Sequence, residues 1–404
     1  MLKLAFFRVS FVLKHDWKKL RPSEQAVRRR RLLIVDLSKR YGGVDTRVLQ
    51  LASGLAPWLD VAVAVLEGSQ THEVFAGNGI QLYPIRRNRK DPRLLGDLIG
   101  CIRSVRPDIV DTQNPQSALW GLPAAVACGV RVRVATIHSV YEESEKHKFA
   151  NVIYGGLYKL INATATDVVA VSDNVKDHLL RRGIAQQRLK IIYNGVAISR
   201  LDLPRQVKTN PLKIACVGRL VPVKGQSILL KAIAKLVAEN NDVACLLIGD
   251  GPERSRLEEL AQSLGIRDKV DFLGMRRDVA SVLEECDVLC LPSLSEGLPF
   301  AALEAAGLGL PIVATSVGGM ARHFSSGDTA ILVPPAQEDA LADALKTVVA
   351  SPDQAGLIGW RGWRMVSEQY SIEQMLRESA ALFANEGSAI NAGSADRACG
   401  KVDT

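Results

Sequence analysis

Short apolar runs alternate with helix-length amphipathic segments along most of the chain. Strands that are buried on both faces read as continuous apolar runs, and helical connections between such strands make neighbouring strands parallel. In the first half the runs lie at 32–36, 61–65, 108–111, 132–136, 167–171 and 188–193. This pattern predicts a parallel sheet with helices on both faces.

A second series of strand-like runs follows a polar stretch at 197–211 that contains two prolines and predicts a linker. These runs lie at 213–218, 243–249, 270–274, 287–292 and 312–315. We therefore predict an α/β protein with two doubly wound, Rossmann-like domains, because ligands in such sheets bind outside the carboxyl ends of the strands and two facing domains share one cleft. The predicted units are a basic apolar arm (1–31), an N-terminal domain (32–197), a C-terminal domain (212–372), a returning C-terminal helix (373–385) and a disordered tail (386–404).

Charge is concentrated at the start of the chain. Residues 1–31 hold ten Lys or Arg and two acidic residues, so the remaining chain carries 41 charges of each sign. A neutral body argues against a nucleic-acid partner. The arm lacks a small-residue cleavage site, which argues against a secretory signal. One hypothesis is a helix lying on anionic lipid; the alternatives are a disordered extension or a start site assigned too far upstream.

Composition narrows the class further. No apolar run reaches 18 residues, so we expect no membrane-spanning helix. The seven cysteines are scattered, and several lie in strand-like runs. Buried free thiols in a reducing cytosol explain them better than disulfides or metal ligation. We expect a cytoplasmic protein, with peripheral contact at the inner face of the membrane through the arm as the open hypothesis.

The segment between two strand-like runs near residue 300 carries two carboxylates. Glu296 comes just before a predicted helix and Glu304 two turns inside it, while Pro299 suits the first helical turn. Eight helical residues rise about 12 Å. That length is close to the reach from a ribose, across a diphosphate, to an attached sugar. The helix N-terminus between the carboxylates is a natural seat for phosphate.

A second loop offers cations after a strand and before a helix. It runs from Gly218 to Gly225 and carries Arg219 and Lys224. Arg can hold phosphate oxygens with two hydrogen bonds, Lys supplies a point charge, and glycine lets the backbone approach. The loop therefore suits a diphosphate. A solvent-exposed turn with surface cations and no ligand would have the same sequence pattern.

Taken together, these motifs closely resemble the retaining family 4 glycosyltransferases of the two-domain GT-B fold, over about residues 32–385. No single motif is decisive, but their order at the strand ends is specific. The segments that carry the resemblance are Tyr41-Gly42-Gly43, Thr136-Ile137-His138, Asn194-Gly195-Val196, Gly218-Arg219-Leu220 with Lys224-Gly225, residues 249–252, residues 272–274, and the Glu296/Glu304 pair with Gly318-Gly319.

The resemblance implies roles for individual residues. Arg219 and Lys224, after Gly218, would clamp the diphosphate; Glu304 would accept ribose hydroxyls, and Glu296 would bind sugar hydroxyls. The implied backbone contacts to the donor lie at Gly43, at Met275 beside the base, and at Gly297, Leu298, Pro299, Phe300 and Ala301. His138 would meet the sugar from across the cleft. Ser172 and Asn194 lie in family-like segments without an assigned role.

The implied reaction retains configuration without a metal cofactor. The chain has no Asp-x-Asp triplet and no Walker loop, so the two cations and helix dipoles would stabilise the leaving diphosphate. With no obvious carboxylate for the far face of the sugar, we predict a front-face displacement. One departure stands out: where the family often carries Pro-Glu after its Gly-Gly pair, this chain reads Met320-Ala321-Arg322-His323.

Three functions stay open at this stage. The first is transfer of a sugar from a nucleotide-diphosphate sugar to an acceptor hydroxyl in surface polysaccharide or glycolipid assembly. The others are a sugar-nucleotide epimerase of the same fold and a catalytically silent subunit that binds nucleotide sugars. The expected partners are the nucleotide-sugar donor and a lipid-linked or saccharide acceptor. The base, the sugar and the linkage are not readable from the sequence.

Overall fold

The structure is a computed structural model that describes residues 29–39, 42–138, 148–276 and 278–384; within 148–154 it describes the backbone alone. Most of the basic arm, the predicted disordered tail, Tyr41 and Cys399 lie outside the described residues.

The first domain is built on a parallel sheet in the order β3-β2-β1-β4-β5-β6-β7. Its strands are β1 (Arg31–Asp36), β2 (Asp60–Leu66), β3 (Gln81–Ile85), β4 (Ile109–Gln113), β5 (Val132–Ile137), β6 (Asp167–Ala170) and β7 (Leu189–Ile191). Its helices are α1 (Gly43–Leu55), α2 (Gln70–Gly77), α3 (Leu94–Val105), α4 (Asn114–Ala127), α5 (Lys148–Thr164) and α6 (Asp173–Arg181). The strand order reverses between β1 and β4, so the first domain is doubly wound.

The second domain repeats this plan with the order β10-β9-β8-β11-β12-β13. Its strands are β8 (Leu212–Val217), β9 (Val243–Ile248), β10 (Val270–Gly274), β11 (Val288–Leu291), β12 (Ile312–Thr315) and β13 (Ile331–Val333). The helices are α7 (Gln226–Ala238), α8 (Arg254–Ser263), α9 (Val279–Glu284), α10 (Phe300–Gly307), α11 (Gly318–His323), α12 (Glu338–Ala350), α13 (Pro352–Gln369) and α14 (Ile372–Ala384). The predicted α/β architecture of two Rossmann-like domains is confirmed.

Two edge strands do not appear among the runs predicted from sequence. β3 contains Pro84, which cannot donate to a ladder, and only its last residue is fully buried. β13 has three residues, of which only Val333 is fully buried. Both lie at a sheet edge, and most of their side chains are exposed or half-buried, so they lack the continuous apolar run by which fully buried strands are recognised.

The chain crosses back to the first domain after α13. Val196 pairs with Ser371 across this crossing, and a Cβ on Gly195 would stand 2.6 Å from the Cα of Ile372, so the motif around Gly195 is held against the returning chain. Beyond the crossing, α14 buries Met375 and three other apolar side chains in the first domain's core. The helix expected at 373–385 thus lies on the N-terminal domain, while the predicted domain boundaries stay predictions.

The described helices and cysteines bear on two expectations from composition. No helix in the described part of the chain combines the length and apolarity that a membrane crossing requires. The six described cysteines are free thiols, and five of them are buried. Burial raises the pKa of the Cys216 thiol to about 12, which keeps it neutral.

Candidate active site

A cleft of about 500 Å³ opens between the two sheets at the carboxyl ends of their strands. The first domain lines it with Gly43, Val44, His138, Val171, Ser172, Asn174, Val175, Arg181 and Asn194. The second domain lines it with Ser295, Glu296, Gly297, Leu298, Phe300 and Leu303. Doubly wound sheets bind ligands at this edge, where the strand order reverses.

Neighbouring strands bring the two predicted loops together. β8 and β11 pair in parallel, with Val288 opposite Ile214, so the loops after these strands lie side by side. The loop after β8 carries Lys224, and the loop after β11 carries Glu296. The Lys224 ammonium lies 2.5 Å from Glu296 Oε1, and the Ser293 hydroxyl donates to the same oxygen at 2.7 Å.

This ion pair leaves hydrogen-bonding capacity on both side chains. The Glu296 side chain, which lines the cleft, is 9% exposed, and that of Lys224 beside it is 26% exposed. An ammonium has three donors, and the described residues use one of them on Lys224. Both bonds to Glu296 end on Oε1. Oε2 and two ammonium protons therefore stay available for substrate oxygens and hydroxyls.

The cation loop, Lys224 included, lies beside the cavity and contributes none of its lining residues. Arg219 is exposed, and its carbonyl accepts a hydrogen bond from the Gln226 side chain at 3.1 Å. A Cβ on Gly218 would stand 3.7 Å from the Lys224 side chain, so this glycine is beside the lysine stem. Met275 follows β10 and is 72% exposed, away from the cavity wall.

The second carboxylate lies deeper in the domain. α10 begins at Phe300, so Glu304 is in its second turn, and the span from Glu296 is not eight helical residues as the sequence suggested. The four helical steps from Phe300 rise only about 6 Å. Pro299 is the N-cap in extended conformation rather than part of the first turn, and it has no N–H to offer a ligand.

Glu304 is mostly buried and unpaired among the described residues. Burial raises the pKa of its carboxyl to about 7. Hydrogen-bond donors from a ligand would favour the charged form and lower this pKa again. A half-ionised carboxyl without a protein donor is suited to accept ligand hydroxyls. It does not itself line the cavity, which ends at its neighbour Leu303.

The glycine pair after β12, Gly318 and Gly319, packs against the backbone of the Glu296 loop. Gly318 has φ +50°, and a Cβ there would stand 1.7 Å from the carbonyl oxygen of Glu296. At Gly319 a Cβ would stand 2.2 Å from the carbonyl oxygen of Gly297, to which the Gly319 N–H donates at 2.7 Å. Only glycine allows this approach, so the pair fixes the position of the carboxylate loop.

On the opposite wall, Gly43 begins α1 against the second domain. A Cβ on Gly43 would stand 3.1 Å from the ring of Phe300. The preceding turn is held by Asp45, whose carboxylate accepts from the Gly42 N–H at 2.7 Å and from the Thr71 hydroxyl at 2.7 Å. Gly43 therefore lies close to an aromatic ring of the other domain, and its predicted approach to the donor stays a prediction.

Sequence reasoning missed a buried polar cluster below this wall. Arg47 is fully buried and donates to the Asn194 side chain at 3.1 Å, which holds Asn194 at the cleft. Burial and the charge of Asp45 raise the pKa of Asp36 to about 8, so Asp36 is protonated at neutral pH. The available signal was polar residues that interrupt otherwise apolar strand ends and helix faces, as at Asp36 and Asp111.

His138 directly follows β5 and lines the cleft opposite the Glu296 loop. Its Nε2 lies 2.8 Å from the Gln113 side-chain oxygen. Burial, with the nearby charge of Arg47, lowers the pKa of His138 to about 3. The imidazole is therefore neutral at physiological pH. Arg181 and Asn174, which the sequence did not single out, line the same wall.

A set of polar contacts also joins the two domains beside the cleft. Asp173 on α6 accepts from the Tyr193 hydroxyl at 2.7 Å and lies 3.3 Å from His323 Nε2 on α11. Next to it, Arg322 pairs with Asp177 at 3.0 Å. The residues that depart from the family's Pro-Glu thus make interdomain contacts in this chain.

Curated proteins similar to this chain match it over part of its length, as two of them illustrate. The UDP-Gal:alpha-D-GlcNAc-diphosphoundecaprenol alpha-1,3-galactosyltransferase of Escherichia coli is 30% identical over 245 residues, 57% of this chain and 63% of that protein. A D-inositol 3-phosphate glycosyltransferase of Corynebacterium urealyticum is 36% identical over 163 residues, 38% of each chain. The chain spans less than two thirds of the length of these curated relatives.

Solved structures match over nearly the whole described chain. Anabaena HepE in complex with UDP has a TM-score of 0.75 at 20% identity and covers 87% of this chain and 98% of its own. A glycosyltransferase from Rickettsia africae has a TM-score of 0.73 at 20% identity, with 88% and 98% coverage. These neighbours share the fold.

Family models cover both halves of the chain. The first half matches Glycosyltransferase Family 4 over residues 41–200, and the second matches Glycosyl transferases group 1 over residues 201–358. The two matches are contiguous, and each falls on one Rossmann-like domain. The chain therefore belongs to the family 4 glycosyltransferases and has the GT-B fold.

Proposed function

We propose that this chain transfers a sugar from a nucleotide-diphosphate sugar to an acceptor hydroxyl and retains the configuration at the anomeric carbon. The observation that carries the proposal is the Lys224–Glu296 ion pair, whose carboxylate lines the interdomain cleft. Such a pair presents a cation for phosphate and a carboxylate for sugar hydroxyls at adjoining points. The Anabaena neighbour was solved as a complex with UDP, which agrees with a nucleotide site in this fold.

In this proposal the donor lies along the second domain. Arg219 and Lys224 bind the diphosphate and stabilise the negative charge that grows on it as the sugar leaves. The loop before α10 adds backbone N–H donors at Gly297 and Leu298, and the helix N-terminus adds those of Phe300 and Ala301. Glu304 accepts the ribose hydroxyls, and the loop at Met275 borders the base. No metal cofactor is part of the proposal, since the two cations carry the compensating charge.

The chemical step is a front-face displacement. The acceptor hydroxyl attacks the anomeric carbon on the side from which the diphosphate departs, and a phosphate oxygen takes the hydroxyl proton. Glu296 and His138 hold the sugar from opposite walls of the cleft. A double displacement would need a carboxylate at the sugar's far face, and Glu296 is already engaged by Lys224 and Ser293. Closure of the two domains limits water access.

We further propose a lipid-linked or saccharide acceptor in surface polysaccharide or glycolipid assembly. The name of the Escherichia coli relative specifies a diphosphoundecaprenol acceptor. A basic apolar arm at residues 1–31 would suit work at an anionic membrane surface. The arm would then bring the acceptor-binding domain close to the lipid.

The proposed function is tested in two steps. A thermal-shift screen against nucleotide sugars identifies the donor, because a ligand that binds the folded state raises the melting temperature. The selected donor is then incubated alone and with a lipid-diphosphate acceptor, and products are followed by NMR. We expect a new glycosidic bond with retained configuration only when acceptor is present. An epimer formed from donor alone, or binding without any turnover, would contradict the proposal.

A further inference from the structure

The Gln113 side chain links a buried carboxylate to the cleft histidine. Gln113 ends β4, and its Nε2 donates to Asp111 Oδ2 at 2.6 Å. On its other side, its Oε1 lies 2.8 Å from His138 Nε2. Gln113 and Asp111 are 0% and 1% exposed, so water does not compete for these groups. The amide therefore has one fixed partner on each side.

The chemistry of the carboxylate decides which way the amide faces. An ionised carboxylate only accepts hydrogen bonds, so it must meet the NH2 group of Gln113. Thr136 donates a second bond to Asp111 at 2.8 Å, and the charge of Arg47 also favours ionisation. Burial opposes this and raises the pKa of Asp111 to about 6, so the carboxylate is ionised at pH 8.

The orientation of the amide in turn decides the state of the histidine. The carbonyl oxygen of Gln113 faces His138, and this oxygen can only accept. His138 Nε2 must therefore carry the ring proton. The ring is neutral because its pKa is lowered to about 3. Nδ1 then has a free electron pair, and no residue in the described part of the chain donates a hydrogen bond to it.

We propose that Gln113, oriented by Asp111, is a positioning residue that holds His138 in the Nε2-protonated tautomer, so that Nδ1 accepts a hydrogen bond from a substrate hydroxyl in the cleft. This inference rests on the proposed function for the identity of the hydroxyl, which belongs to the sugar donor or to the acceptor. In the proposed role His138 acts as a neutral acceptor. It neither donates a proton nor carries charge to the diphosphate.

The first measurement needs no substrate. Long-range 1H–15N correlation spectra of the full-length protein labelled with 15N-histidine report which ring nitrogen is protonated, and His138→Gln identifies the His138 signal. At pH 8 we expect the His138 proton on Nε2. Gln113→Met keeps the side-chain volume and removes both hydrogen-bonding groups. In this variant we expect a mixture of tautomers.

The matched control is Thr136→Val. It removes the other hydrogen bond to Asp111, equally buried and of similar length, but leaves the Gln113 amide in place. We expect its His138 to keep the Nε2 proton. Both variants damage the buried cluster and can lower its thermal stability to a similar degree. If only Gln113→Met changes the tautomer of His138, the change is specific to the Gln113 amide.

Kinetics complete the test. We expect Gln113→Met to lower kcat by about tenfold to a hundredfold, as for outer partners that orient metal-bound histidines, while the Kd for the nucleoside diphosphate changes little. A wild-type proton on Nδ1 would overturn the inference, as would an unchanged tautomer in Gln113→Met. Because the spectra are recorded without substrate, they remain decisive if sugar transfer itself is not observed.

Discussion

At the residue scale, the two carboxylates near the cleft differ in their electrostatic surroundings. Glu296 is paired with Lys224 and accepts a hydrogen bond from Ser293. Glu304 has no such partner among the described residues, and burial raises its pKa to about 7. The first is a preformed charged group beside a cation, and the second gains its full charge when a ligand donates to it. This difference matches separate proposed contacts to sugar and ribose.

Replacing Lys224 by alanine tests the proposed clamp. Lys224→Ala should lower kcat at least about a hundredfold, the scale on which loss of one charge-stabilising donor acts in a transition state. Steady-state kinetics with the identified donor provide the measurement. The matched control is Lys231→Ala on α7, which breaks an ion pair with Glu338 at 3.1 Å outside the cleft. Equal kcat values for both variants would remove Lys224 from the proposed role.

Glu304 gives a pH-dependent prediction. Its folded-state pKa of about 7 lies above the usual 4.5, so the folded protein holds this proton more tightly than the unfolded chain. That contribution to stability is complete below pH 4.5 and is lost as the pH rises through 7. Thermal unfolding from pH 5 to 8 should show Glu304→Gln gaining stability relative to wild type as pH rises. A pH-independent difference would rule out the raised pKa.

Side chains next to a distinctive backbone were easier to predict from sequence than buried partners. Lys224 and Glu296 stand in loops that glycines and flanking strands mark clearly, and the structure pairs them. Asp111 and Gln113 were missed because polar residues at a strand end are a visible signal that does not identify their partner. Their role depends on His138, which lies 25 residues after Gln113 in the chain.

At the element scale, the site depends on which strands are neighbours. β8 and β11 lie side by side although two strands and three helices separate them in sequence, and this brings the cation loop to the carboxylate loop. Gly318 then packs against the backbone of the carboxylate loop from the neighbouring β12. Three consecutive positions across the sheet thus contribute to one site.

Substitution of Gly318 should damage the site more than its backbone strain alone explains. A left-handed conformation costs a residue with a side chain about 1–2 kcal/mol. Gly327→Ala carries only that cost, because its φ is +79° and no atom lies within 4 Å of the added Cβ. Gly318→Ala must also displace the Glu296 carbonyl, so it should lose more stability and weaken donor binding. Calorimetric titration and thermal unfolding of both variants provide the comparison.

Similar donor affinity in Gly318→Ala and wild type would show that the carboxylate loop does not depend on this packing.

The residue at which α10 starts could not be predicted from sequence, because it also depends on packing. Pro299 is compatible with both the first turn and the residue before it, and the choice depends on contacts of the loop with Gly318 and Gly319 that no local pattern reveals.

At the scale of the whole molecule, the two domains meet through polar contacts beside the cleft. Asp173, Tyr193, His323 and Tyr370 form a partly buried cluster, while the Arg322–Asp177 pair is nearly half exposed. Partly buried hydrogen bonds to a charged group contribute more to stability than exposed ion pairs. The cluster should therefore dominate the polar contribution to the interdomain contact.

Calorimetric unfolding of two aspartate variants tests that ranking. Asp173→Ala should cost about 1–3 kcal/mol, because it leaves the Tyr193 hydroxyl without its acceptor and His323 without its anion, and it should separate the unfolding of the two domains. Asp177→Ala should cost less than about 1 kcal/mol, as expected for an exposed pair. A larger loss of stability in Asp177→Ala than in Asp173→Ala would show that the exposed Arg322–Asp177 pair contributes more to the interdomain contact.

The two-domain architecture was predictable because central strands of both sheets carry continuous apolar runs. The edge strands β3 and β13 were not, since most of their side chains are exposed or half-buried and leave a weaker pattern. The interdomain contacts of Arg322 and His323 were also beyond prediction. The sequence marks them as a departure from the family, but their partners belong to the other domain.

The most direct test of the proposed site is a crystal structure of the full chain with its nucleotide-diphosphate sugar bound. We predict phosphate oxygens within hydrogen-bonding distance of Arg219 and Lys224, sugar hydroxyls on Glu296 and ribose hydroxyls on Glu304. A diphosphate bound elsewhere, with Arg219 and Lys224 facing solvent and Glu304 without a ligand, would contradict the convergence of the two loops on one donor.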